Sequence, residues 1–275
     1  MRTIRVQNIN IANNLPVVFI LGPCQVESLE HSLMMAQSIK NICNNVGVQF
    51  IYKSSFDKAN RSSIDGKRGL GLEKTLPVFA QVKKEFGCPV LTDIHNEEHC
   101  RLLGDSPDVD VLQIPAFLCR QTDMLEAAAK TNKVINVKKG QFLAPWDAAN
   151  IVKKMDHFNK SDLLLTERGV SFGYNTLVSD MRSLPIMAKT GCPVVFDATH
   201  SVQQPGGLGG ASGGQREFVE TLASSAVAAG VAAVFMEVHQ DPDCAPSDGP
   251  CMVKLQDLEK LLTKLKKIDA LIKSN

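Results

Sequence analysis

Cations, carboxylates, imidazoles and one thiol recur at the ends of short apolar runs in this chain. VVFILGPC closes on Cys24, QFIYKSS carries Lys53, and PVLTDIH ends in Asp93 and His95. VDVLQIPAF carries Gln113, VINVKK ends in Lys138 and Lys139, and DLLLTERG ends in Glu167 and Arg168. PVVFDATH ends in Asp197 and His200, and AAVFMEVH ends in Glu237 and His239. Two chemistries follow from these types. Lys53, Lys58, Asn60 and Arg61 share the segment KSSFDKANRSS with several hydroxyls, and Lys138, Lys139 and Arg168 form a second cationic set. Fixed cations beside directional donors suit phosphorylated ligands. A cation at the mouth of an apolar strand is costly unless an anion compensates it. Two such sets imply two anionic groups. The second chemistry is metal binding. Cys24, His200, Glu237 and Asp248 offer thiolate, imidazole and carboxylates, a donor mix for Zn²⁺, Fe²⁺ or Mn²⁺. On residue types alone His239 and Asp241 compete for the same role. A lysine on a strand end also suits Schiff-base chemistry, with Lys138 as nucleophile.

Something must gather these groups, and the runs say what. Continuous apolar runs are the mark of parallel strands buried on both faces. Helix-length segments separate them: 29–46, 72–86, 97–104, 121–131, 146–157, 175–189, 214–229 and 254–273. Strand and helix alternate about eight times, which predicts right-handed crossovers and an α/β fold, the (β/α)8 TIM barrel. In that fold the site lies at the C-terminal ends of the strands. Strands one, seven and eight are then neighbours, so Cys24, His200 and Glu237 converge. The chain has 275 residues, close to the roughly 250 of one barrel, so a single domain over 1–275 is expected. TIRVQNINI, within 1–15, reads as a short N-terminal β-hairpin covering the barrel's lower end. The Gly-rich QQPGGLGGASGG, 203–214, reads as a mobile loop on the working face.

Composition narrows the function classes. Thirty basic residues face 29 acidic ones, and aromatics make up 5%. No nucleic-acid or membrane partner is expected from that balance. The opening MRTIRVQNINIANN has no apolar core of the secretory kind, so a cytoplasmic location is expected. Eight cysteines are scattered without CxxC pairs, which reads as reduced thiols. There is no G-x-S-x-G elbow and no Walker A motif.

The segments GPCQVES (22–28), KSSFDKANRSS (53–63), QIPAFLCRQTD (113–123), INVKKGQF (135–142), ERGVSFGY (167–174), FDATHSVQQPGG (196–207), MEVHQDPD (236–243) and SDGP (247–250) carry a resemblance. Together they are similar to the 3-deoxy-D-manno-octulosonate 8-phosphate synthase family, in order and over nearly the whole chain. The resemblance implies condensation of phosphoenolpyruvate with D-arabinose 5-phosphate and water in lipopolysaccharide biosynthesis. It implies that Lys53, Lys58, Lys138 and Arg168 hold phosphoenolpyruvate, with Gln113 and the Pro115–Ala116 turn beside it. Asn60, Arg61 and Ser62 would take the aldose phosphate. Arg120 would serve a neighbouring subunit's site in a homotetramer, and the Gly-rich loop would act as a lid. Catalytic roles fall to Lys58, Lys138, His200 and Asp248. Cys24 at the GPC position implies the metal-dependent branch of that family, with Cys24, His200, Glu237 and Asp248 as ligands of a divalent ion. The alternative within reach is the sister activity on erythrose 4-phosphate, 3-deoxy-D-arabino-heptulosonate 7-phosphate synthase. KANRSS rather than a KPRTS-like segment favours the longer sugar.

Overall fold

The computed structural model describes residues 1–60, 63–207, 209 and 212–274. Eight parallel strands close into a barrel: β1 (Val18–Gly22), β2 (Phe50–Lys53), β3 (Val90–Asp93), β4 (Val111–Ile114), β5 (Val134–Lys138), β6 (Leu163–Glu167), β7 (Val194–Asp197) and β8 (Ala233–His239). Each pairs with the next, and β8 closes the ring by pairing β7 on one side and β1 on the other. The helices follow in turn: α1 (Leu29–Val46), α2 (Leu72–Phe86), α3 (Glu97–Gly104), α4 (Thr122–Ala129), α5 (Ala148–His157), α6 (Ser183–Ala188), α7 (Val219–Ala228) and α8 (Leu255–Lys273). No helix among the described residues is long and apolar enough to cross a membrane.

Side-chain parity sorts the barrel into two cores. Successive strand residues face opposite sides. Phe19, Leu21, Tyr52, Leu112, Ile135, Val137 and Phe196 pack outward under the helices. Val18, Ile20, Ile51, Leu91, Val111, Leu164 and Val195 fill the interior. The same interior cluster contains Ile4, Val6, Ile9 and Ile11. These belong to the expected hairpin, whose strands Ile4–Val6 and Ile9–Ile11 pair antiparallel. Its four buried aliphatic side chains plug the N-terminal end of the barrel, each worth roughly 1.5–3 kcal/mol of burial. The hairpin thereby covers the lower end, and the polar strand ends gather at the opposite mouth.

One expected helix shortens. Of 175–189 only Ser183–Ala188 is helical, because Val170–Ser171 and Leu177–Val178 form a small antiparallel ribbon instead. Gly173 and Asn175 turn it, both at positive φ. Continuing each strand's inward parity by two residues brings a polar or charged group to the mouth. Lys53, Asp93, Gln113, Asn136, Lys138, Thr166, Arg168, Asp197 and Glu237 all follow from this rule, and all are buried.

Candidate active site

The mouth of the barrel holds a cavity of about 510 Å³. Beneath it runs a belt of hydrogen bonds linking neighbouring strands. Ser55 bonds Asp93, Gln113 donates to Asp93 at 2.5 Å, Asn136 to Gln113 at 2.8 Å, and Thr166 to Asn136 at 2.7 Å. Asp93 lines the cavity, whereas Gln113 lies in the belt with both ends of its amide engaged. Gln113 thus borders the cavity through Asp93, to which its amide donates. Although burial pushes the Asp93 carboxyl up, Lys53, Lys58 and Lys138 hold it well below the usual range.

Lysines and carboxylates alternate around the mouth. Lys53 Nζ lies 2.8 Å from Glu237 Oε1 and 3.8 Å from Asp93, and donates to the Cys24 carbonyl at 3.1 Å. Lys58 Nζ approaches Glu237 Oε1 to 3.7 Å. Burial opposes the charge on Lys58, yet Cys24, Glu237, Asp93 and Asp248 carry its pKa well above the ordinary value. Lys138 Nζ sits 2.7 Å from Asp197 Oδ2 and 4.2 Å over the Phe235 ring. Asp197 was not among the expected site residues. Its Oδ2 is also 2.8 Å from His200 Nδ1, and its Oδ1 accepts the His200 backbone N–H at 2.9 Å. Burial pushes Asp197 up, but His200 and Lys138 hold it far below the carboxylate range. The sequence signal was its place at an inward position, three residues before His200.

Three of the four expected metal ligands come together. Donor atoms of Cys24, Glu237 and Asp248 all lie within 4.8 Å of one another. The Cys24 thiol donates to Asp248 Oδ2 at 3.2 Å and accepts from Ser247 at 2.9 Å. His200 stands at the edge, with Nε2 3.8 Å from Glu237 Oε1. Glu237 Oε2 is shut off from solvent and meets no hydrogen-bond donor among the described residues. An acceptor left bare at such depth is costly, and a cation between it and the thiol would satisfy it. Burial, ahead of the Glu237 and Asp248 charges, pushes the Cys24 thiol up; an ion would reverse that by binding thiolate. Asp248 holds its place in a left-handed backbone conformation, φ 52°. This donor set fits a borderline divalent ion.

Arg168 links the two halves. Its guanidinium donates to Gln203 at 2.9 Å, and Gln203 in turn donates to Asp248 Oδ1 at 3.1 Å. Arg168 Nη1 is buried and lacks an acceptor among the described residues. Burial lowers the Arg168 pKa, against Asp197, Glu167 and Asp248. A cation with an idle donor beside a cavity invites an anion. Lys58, Asn60, His95, Pro115 and Ala116 also line the cavity, while Arg61 and Ser62 lie outside the described residues. Lys139 departs from expectation. It takes the outward parity, is 1% exposed, donates to the Leu143 carbonyl at 2.9 Å and lies 3.5 Å from Glu167. It is a structural cation and leaves the mouth to Lys138. Arg120 borders a separate cavity of about 270 Å³ with Cys119, Asp147 and Lys154, and is exposed there.

Comparison with known proteins adds a separate line. Residues 2–274 match the family described as the DAHP synthetase I family. The 2-dehydro-3-deoxyphosphooctonate aldolase of Rickettsia bellii is 60% identical over 272 residues, covering 99% of this chain and 98% of that protein. The proteins of the same name from Rickettsia prowazekii and Rickettsia felis are 59% and 58% identical over the same span. The chain belongs to the DAHP synthetase I family, among its 2-dehydro-3-deoxyphosphooctonate aldolases.

Proposed function

We propose that this protein condenses phosphoenolpyruvate with D-arabinose 5-phosphate and water, giving 3-deoxy-D-manno-octulosonate 8-phosphate and phosphate, and that it does so in the metal-dependent manner. The observation that carries this reading is one closed mouth holding an idle guanidinium beside Lys138 and, across from them, a thiol–carboxylate cluster with a bare buried oxygen.

The cations meet the anions. Lys138 and Arg168 take the phosphoenolpyruvate charges, with Lys53 and Lys58 behind them and Pro115–Ala116 closing one wall. Asn60, Arg61 and Ser62 take the aldose phosphate. C3 of phosphoenolpyruvate forms the new bond to the aldehyde carbon. The aldehyde oxygen gains a proton, matched by one the water gives up as its oxygen adds at C2. The C2–O bond to phosphate then breaks, and the remaining water proton leaves with the phosphate. Lys58, 3.7 Å from Glu237 Oε1 at the edge of the cavity, offers its ammonium to the charge that develops at the oxygens. Asp197 keeps the His200 ring turned with Nδ1 toward itself, leaving Nε2 for the mouth. His200 and Asp248 are the proton carriers nearest the reacting groups. A divalent ion held by Cys24, His200, Glu237 and Asp248 would supply a positive charge to polarise an oxygen of aldehyde or water.

The rival sugar is tested directly. Phosphate release from phosphoenolpyruvate is assayed with arabinose 5-phosphate and with erythrose 4-phosphate. Turnover should need the five-carbon aldose; a preference for the four-carbon one sinks this reading. Persistent full activity after chelator treatment sinks the metal-dependent part. Borohydride trapping should label no lysine, and an adduct at Lys138 would favour Schiff-base chemistry.

A cytoplasmic homotetramer sharing Arg120 between subunits belongs to the same proposal. Phe117, Phe142, Trp146, Phe172 and Tyr174 support the association of subunits, since they stand 54–96% exposed. Sedimentation of the protein checks it.

A further inference from the structure

A second donor cluster lies beside the first and shares no residue with it. Ser28 caps α1 by accepting the His31 N–H at 3.1 Å. That cap sets Glu27 just before the helix and His31 in its first turn. β8 runs two residues past Glu237 to deliver His239. His239 Nε2 lies 2.9 Å from Glu27 Oε1, and His31 Nδ1 lies 3.7 Å from the same oxygen. All three donor atoms fall within 4.8 Å of one another. Ligands at about 2.0–2.1 Å around a tetrahedral ion stand roughly 3.3 Å apart, so the observed separations bracket what an ion needs.

The hydrogen bonds show what is missing. His31 Nε2 lies 2.9 Å from the Gln240 side-chain oxygen, the partner to which a neutral ring donates from that nitrogen. His31 Nδ1 is then a bare lone pair. It is shut off from solvent, has no hydrogen-bond partner among the described residues and faces a carboxylate. Gln240 stands behind this imidazole as a carbonyl does behind a metal-bound histidine.

We propose that Glu27, His31 and His239 form a second metal site, for a divalent transition ion such as Zn²⁺, Co²⁺ or Ni²⁺. Two imidazoles and one carboxylate select this class over Mg²⁺ and Ca²⁺. Occupancy asks for one local change. The proton on His239 Nε2 moves to Nδ1, and the Asp241 N–H that Nδ1 accepts at 3.1 Å turns away. Asp241 is exposed, in the loop that follows β8.

Cobalt reads the two sites separately. Chelator-stripped full-length protein is dialysed against Co²⁺, its metal content counted and its spectrum recorded. A near-ultraviolet thiolate-to-cobalt band reports Cys24, and a visible band without it reports nitrogen and oxygen ligands. The parent should take two equivalents per chain. His31→Ala and Glu27→Gln should each take one and keep the thiolate band, while Cys24→Ala should take one and lose it. Glu27→Gln keeps an oxygen facing His239, which guards against a folding defect. A parent that saturates at one equivalent with the thiolate band overturns the proposal. So does full parental content in both His31→Ala and Glu27→Gln. One equivalent without a thiolate band, lost in His31→Ala, supports this site and refutes the Cys24 site instead.

Discussion

Replacing Asp197 by Asn removes one charge and almost no volume, and the structure sets the size of the effect. Asp197 is fully buried, with Lys138 Nζ at 2.7 Å and His200 Nδ1 at 2.8 Å from one oxygen. At an effective dielectric of about 20, attraction at that distance is about 6 kcal/mol, much of it offset by desolvation. Removing one partner of a buried pair typically costs about 3–5 kcal/mol, because the other charge stays buried. Lys138 keeps two compensations: the Phe235 face at 4.2 Å and a side chain 9% open to the cavity. The lower end, about 3 kcal/mol, is therefore expected. The neutral amide also no longer prefers one His200 tautomer, so condensation should slow by about 10–100-fold, as for partners behind metal-bound histidines. Urea unfolding of the metal-free variant at pH 7 gives the first number, and phosphate release from the loaded enzyme the second. A stability loss below about 1 kcal/mol together with parental turnover would refute the reasoning.

Three further perturbations probe other links. A Cβ on Gly22 would lie 1.9 Å from the Lys53 carbonyl oxygen, so Gly22→Ala should part β1 from β2 and cost about 3 kcal/mol in urea unfolding; unchanged stability contradicts the close approach. Cys24→Ala should abolish the thiolate–metal signature and lower activity by more than about 100-fold, while the metal-free fold loses less than about 2 kcal/mol; retained metal-dependent turnover counts against Cys24 as a ligand. The pH dependence follows from carboxylates whose folded pKa values are depressed, Asp93, Asp197 and Glu237, each by lysine or histidine neighbours against the effect of burial. Their contribution is complete above the unfolded values near 4 and is lost as pH falls below them. Unfolding of metal-free protein should thus show stability declining below about pH 4, and stability holding level or rising there is the contrary result.

The barrel was legible because its strands are written twice, once as apolar runs and once as parity. The first gave the fold from sequence; the second would have corrected an error. Lys138 and Lys139 read alike as cations at a strand end, yet Asn136 and Val134 already face inward, so parity assigns Lys138 to the mouth and Lys139 outward. Asp197 was visible as a residue and missed as a partner, because its role depends on β5 standing two strands from β7. Gln113 was expected beside a ligand, and its amide bonds to Asp93 and Asn136 were not foreseen. No local pattern encodes such a cross-strand bond. The ribbon at 170–178 escaped because helix-length spacing outweighed the signal of Gly173 and Asn175.

The belt beneath the mouth has a direction. An ionised Asp93 can only accept, so Gln113 must turn its NH₂ toward it. That leaves the Gln113 oxygen to receive the Asn136 NH₂, and the Asn136 oxygen to receive the Thr166 hydroxyl. One charge therefore orders every amide from β3 to β6, and none can flip without stranding its neighbour. The floor under the cavity has a single proton arrangement, already chosen before any ligand arrives, and a substrate meets dipoles that need not reorient to receive it.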